Sequence, residues 1–179
     1  GHATSNPEVQ KRYYLASIRS FQQLLNGNAL MRPLEGERRL HALLQLGSLQ
    51  LKTAQEKSGI SSLITVLNQS PIAQLQMKAA TLLAEHHEQK KNLAKASGYF
   101  SDAIKYCQDS TFCPYLHHRL SWIQFRLRNF AKAITTLGAG LWDESGMLRD
   151  EAVRDYIYFW SAQPERYIEA VRELAEIQT

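Results

Sequence analysis

Cys107 and Cys113 are the two cysteines of the chain, with five residues between them. A loop of that length can bring their Cα atoms to about 5.5 Å, the separation a disulfide needs. In an oxidising compartment the bond would fix the angle between two successive helical hairpins, worth about 2–3 kcal/mol by loop closure. The other reading is two free thiols, one of them buried as a small apolar side chain.

Two histidine pairs, His86-His87 and His117-His118, raise metal chemistry. Neighbours on a helix point about 100° apart, so neither pair chelates one ion by itself. Glu85-His86-His87-Glu88 lacks the zinc-protease pattern of two histidines four apart with glutamate after the first. Cys113 and His117 supply two ligands at four-residue spacing, where zinc needs at least three clustered. No metal site is expected, and the histidines read as surface or partner-facing groups. Neither a Gly-x-Ser-x-Gly elbow nor a glycine-rich phosphate loop is present, and no carboxylate pair flanks a recognisable cleft. The expectation is a protein without catalytic residues or cofactor.

Composition narrows the partners. With 179 residues and 44% hydrophobic content, the chain can bury a sizeable core. No uncharged apolar run reaches about 18 residues, so no membrane insertion by this segment is expected. Gly1-His2 resembles a tag remnant, and the whole reads as a piece of a longer protein whose targeting signal lies elsewhere. Residues 1–142 carry 17 Lys/Arg against 8 Asp/Glu, and residues 143–179 carry 4 against 9. A basic body with an acidic end can steer a partner or favour head-to-tail packing. The basic residues are spread over many helices rather than clustered with aromatics, which argues against nucleic acid.

The elements that would position these groups are helices. Pro7, Pro33, Pro71, Pro114 and Pro164 all stand where a helix could begin. Asn6 and Ser70 precede two of them as caps. No segment alternates in the manner of a strand. The pattern predicts about nine helices, over 8–25, 34–52, 55–68, 72–89, 92–108, 115–127, 130–141, 147–162 and 165–177. Short connections make neighbours antiparallel hairpins.

An internal repeat of 37 residues organises these helices. Gly47, Ala84 and Ser121 form a small-residue column, with Tyr158 as the exception. Leu46, Leu83, Leu120 and Ile157 precede them. Twelve residues on come Gly59, Ala96, Ala133 and Ala170, and four further Leu63, Phe100, Leu137 and Leu174. Small residues on facing helices let two backbones approach, and the large residue one turn on fills the space between hairpins. A fixed period in this range means a stacked array.

The segment Pro114–Leu137 resembles a tetratricopeptide repeat, with Leu120, Ser121, Phe130, Ala133 and Leu137 in the signature columns. Leu83, Ala84, Leu93, Ala96 and Phe100 match next best. The family's tyrosine column holds Gln50, His87, Gln124 and Ser161 instead, and Glu56 replaces the usual aromatic of the first unit. The resemblance implies an all-α, right-handed superhelical array of antiparallel hairpins. Four units would cover 34–177, and residues 1–33 would hold the orphan second helix of a preceding unit. Residues 148–155 and the Cys-Pro-Tyr run also resemble tetratricopeptide-repeat proteins of predatory and gliding deltaproteobacteria, some of which serve in the envelope or in motility machinery. That likeness implies a bacterial source and a periplasmic or cell-envelope location, with cytoplasm as the alternative.

In arrays of this family the first helix of each hairpin lines a concave groove. Carried onto this chain, the lining residues are Tyr115, His118, Trp122 and Phe125, extended by Phe159, with Lys78 and Glu85 setting orientation; Thr81 and Glu88, His41, Leu44, Ser48 and Leu51, and Ala152 and Asp155 line the same face in the other units. The alternative is that these aromatics are core. The family's carboxylate clamp is absent, since its columns hold Leu44, Ser48, Thr81, Glu85, His118 and Trp122. The expected function is a non-enzymatic scaffold that holds a protein or peptide partner. The alternative is a structural spacer in a larger envelope or motility assembly, binding through its ends.

Overall fold

A computed structural model describes residues 6–27, 32–108, 111–140, 150–163 and Arg172. Eight helices occupy them, and no strand occurs among the described residues. They are α1 (Pro7–Asn26), α2 (Gly36–Lys52), α3 (Glu56–Gln69), α4 (Ala73–Gln89), α5 (Leu93–Lys105), α6 (Cys113–Arg126), α7 (Phe130–Gly138) and α8 (Asp150–Ser161). The all-α expectation holds. Except for Arg172, the ninth helix expected over 165–177, and with it Ala170 and Leu174, lies outside the described residues. The chain divides into two compact units, Gly1–His86 and His87–Thr179.

In the first unit, α1 is capped by Asn6, whose side chain accepts from Glu8 N at 3.0 Å ahead of Pro7. α2 and α3 pair through two glycines. A Cβ on Gly47 would lie 2.8 Å from Leu63 Cγ and 3.1 Å from the Gly59 carbonyl. One on Gly59 would meet Leu51 Cδ2 at 2.9 Å and the Gly47 carbonyl at 3.0 Å. The two backbones approach at this point because neither carries a side chain there. Leu51 sits by Gly59 and Gly47 by Leu63, so the hairpin is antiparallel. Leu46, Leu63 and Val66 of this pair are buried, as is Leu83 of α4.

The second unit buries the corresponding columns. Ala96, Phe100, Ser121, Ala133 and Leu137 are all fully enclosed. Ala133, Ile134 and Leu137 of α7 form one cluster with Ala152, Tyr156, Phe159 and Trp160 of α8.

Three hairpin turns share one backbone construction. Ala54, Lys91 and Arg128 have φ of 61°, 60° and 60°, and each stands 37 residues after the last. The next amide in each turn reaches back five residues: Gln55 N to Gln50 O at 3.0 Å, Asn92 N to His87 O at 2.8 Å, Asn129 N to Gln124 O at 2.9 Å. This is a Schellman ending, with a left-handed residue satisfying carbonyls left over at the helix C-terminus. The following helix then starts at once, with Gly59, Ala96 and Ala133 amides each bonded to the residue four before at 3.0 Å.

The columns where the family's tyrosine is missing are also used alike. Ser62 Oγ donates to Gln50 Oε1 at 3.2 Å, and Thr136 Oγ1 donates to Gln124 Oε1 at 2.8 Å. Between them in sequence, His87 and Tyr99 stack at 5.5 Å and 3°. In each case the residue on the first helix engages the one twelve later on the second. Gln50, His87 and Gln124 are buried, and such groups require a partner.

The register changes in α8. Ile157 and Tyr158, the expected inner pair, are 42% and 53% exposed. The buried set is Ala152, Tyr156, Phe159 and Trp160, which repeats Leu116, Leu120, Ile123 and Gln124 of α6 at 36 residues instead of 37. Tyr158 therefore need not fit a small-residue slot, because it faces out.

Candidate partner-binding face

α6 divides lengthwise. Leu116, Leu120, Ser121, Ile123 and Gln124 are buried. Tyr115, His118, Arg119, Trp122 and Phe125 are half-buried, at three- and four-residue spacing on another face. The helix starts at Cys113, which is joined to Cys107 by a disulfide with S–S 2.07 Å and Cα–Cα 5.8 Å. That bond ties the residues following α5 to the first turn of the helix carrying the stripe.

Asp155 of α8 organises the middle of the stripe. Its Oδ2 accepts from Trp122 Nε1 at 2.7 Å and lies 2.7 Å from His118 Nε2. Both bonds converge on one oxygen, which is the stronger, charge-assisted kind. Trp122 is then held against three rings. It stacks on Tyr158 at 5.8 Å, and meets Phe159 edge-on at 4.9 Å and Phe125 at 5.8 Å. Phe125 stacks on Phe159 at 4.5 Å and touches Phe130 at 5.1 Å.

Phe159 is the hub of these contacts and is 0% exposed. It is core, not part of an accessible floor, because α8 turns its Tyr156–Phe159–Trp160 edge inward. Ala152, on the same edge, is likewise buried.

The first half of the stripe is dressed by charge. Tyr115 lies 5.2 Å from Phe112, and the Arg119 guanidinium sits 5.9 Å from its ring centre, within cation–π range. Arg119 also pairs with Glu88, which takes Arg126 Nη1 on its other oxygen at 3.2 Å. Glu88 thus holds two guanidiniums about two helical turns apart on α6.

Neighbouring His117 points elsewhere. Its Nδ1 is buried without a hydrogen-bond partner, and desolvation lowers its pKa below the ordinary histidine value, opposed by a bond to the Thr136 backbone. Lys78 and Glu85, expected to orient a partner, lie in the first unit, Lys78 exposed and Glu85 half-buried. The remaining histidine of the other pair, His86, is buried with Nε2 at 3.1 Å from Glu56 Oε1.

Glu88 and Asp155 stand in the inward-lining columns that the resemblance implies, Asp155 lying 37 residues after His118, whereas Arg119 and Tyr158 are absent from that reading. One signal for Asp155 exists: an indole N–H on a half-buried face needs an acceptor. The 37-residue register places Asp155 in the column of His118, but does not say that it accepts from Trp122.

No protein-family profile matches the chain, and no characterised protein sequence matches it. Among the described residues, no helix is long and apolar enough to cross a membrane. No three His, Cys, Asp or Glu side chains come together there as a metal-ligand set.

Proposed function

We propose that this chain is a non-enzymatic interaction module of tetratricopeptide type, a right-handed array of hairpins that grips a protein or peptide partner through α6. One observation carries the reading: Tyr115, His118, Trp122 and Phe125 stand half-exposed in one row while Asp155 fixes two of them. Aromatic rings already locked in place lose little conformational freedom when a partner covers them, and Trp and Tyr dominate interface energetics. The Cys107–Cys113 bond supports an oxidising location such as a bacterial periplasm.

The test uses the partner captured by the 179-residue chain from periplasmic extract. Tyr115→Ala is expected to weaken that partner about 30-fold or more, the size of a hot-spot loss, with an unchanged melting temperature. Trp122→Ala should lose affinity too, but with a lower melting temperature, since Trp122 also packs on Phe159. Unaltered affinity in Tyr115→Ala would move the binding face off α6.

A further inference from the structure

Five large apolar side chains are exposed among the described residues: Val9, Tyr13 and Leu24 on α1, and Ile157 and Tyr158 on α8. The six helices between carry none. Contiguous exposed apolar strips of this kind mark interaction surfaces and call for a cover.

Each face is a continuous strip. On α1, Val9, Tyr13, Ala16, Ser20 and Leu24 follow intervals of three and four residues, all exposed. Ile18 and Leu25 form the buried edge of the same helix. On α8, Arg154, Ile157, Tyr158 and Ser161 are exposed opposite the buried Ala152–Tyr156–Phe159–Trp160 edge. The charges differ in sign. The exposed charges of α1 are Lys11, Arg12 and Arg19 against Glu8, and those of α8 are Asp150 and Glu151 against Arg154.

We infer that the two faces bind each other between copies: α1 of one chain covers α8 of the next. A like-with-like contact is disfavoured, because it sets Arg12 and Arg19 against their own counterparts, or Asp150 and Glu151 against theirs. The opposite-sign pairing is heterologous and leaves one open face of each kind on every complex. It therefore extends into chains, or closes into a ring if the rotation allows. This surface is distinct from the Tyr115 row, although Tyr158 borders both.

Sedimentation velocity on the 179-residue chain, from about 1 μM to about 1 mM, tests the inference. The average mass should climb past the dimer with concentration, and less so in about 0.5 M salt, where surface charges are screened. Tyr13→Glu and Ile157→Arg should each stop growth alone. Mixed together they should give a 1:1 dimer that grows no further, because one keeps a working α8 face and the other a working α1 face. Tyr115→Ala should assemble like the parent, which separates failure here from failure of the α6 reading. If either charged variant melts early, Tyr13→Ser and Ile157→Ser replace them. A parent that stays monomeric throughout overturns the inference. So does a single variant that assembles normally, or a mixture of folded variants that does not pair.

Discussion

Trp122 donates its indole N–H to Asp155 Oδ2 at 2.7 Å, bridging α6 and α8 across 33 residues of sequence. Removing the acceptor strands a half-buried donor and releases His118 as well. Asp155→Ala is expected to destabilise the second unit by about 1–2 kcal/mol, the lower part of the range for a lost partner, because Asp155 keeps some exposure. Asp155→Asn keeps an acceptor for one of the two and should cost less. Urea titration followed by tryptophan emission checks both. Equal midpoints for parent and Asp155→Ala would show that ring packing alone holds Trp122.

The turns make a second, opposite prediction. Ala54, Lys91 and Arg128 occupy left-handed backbone that disfavours any residue with a Cβ. Lys91→Gly and Arg128→Gly should each raise stability by about 0.5–1 kcal/mol, after allowing for the greater freedom of glycine in the unfolded chain. Ala16→Gly, in the exposed interior of α1, should lose about 1 kcal/mol. If all three substitutions lower the midpoint, the turns are not strained as their φ values indicate.

These turns show where sequence reading reaches and stops. The small and large columns were legible because packing restricts residue size: Gly47 and Gly59 admit no Cβ, and Leu63, Phe100 and Leu137 are enclosed. The left-handed positions were not, because no glycine marks them. Their 37-residue spacing is visible only in the backbone. The stripe on α6 followed from helical spacing, and the 37-residue register put Asp155 in the column of His118, but the bond it accepts from Trp122 is a tertiary contact with no local pattern. The inward turn of Phe159 was missed for a single reason. The α8 register slips by one residue, and on a helix one residue is about 100° of rotation.

The disulfide gives a third prediction. Protein made in an oxidising compartment and denatured without reductant should show no titratable thiol, since both cysteines are paired. Reduction should lower stability by about 2–3 kcal/mol, and Cys107→Ser/Cys113→Ser should match the reduced parent. Two thiols per chain in periplasmic material would remove both the bond and the argument for that compartment.

His117 sets the pH dependence. Burial holds its folded pKa below the unfolded value of 6.5. Above pH 6.5 both states are neutral at this side chain, and it contributes nothing to the pH slope. As pH falls below 6.5, the unfolded chain takes up a proton that the folded chain resists, because the charged ring would lie desolvated beside α7 with Nδ1 unpartnered. Folding stability is therefore lost on acidification, from pH 6.5 down to the lowered folded pKa, and is retained on the alkaline side. Two urea midpoints, at about pH 7.5 and about pH 5.5, measure this drop. His117→Gln, which cannot titrate, should show a smaller drop than the parent over the same interval. His118→Gln serves as the control for its neighbour, whose Nε2 is engaged by Asp155 rather than starved of partners. A His117→Gln protein with the full acid loss of the parent would place the responsible group elsewhere and leave His117 with a packing role only.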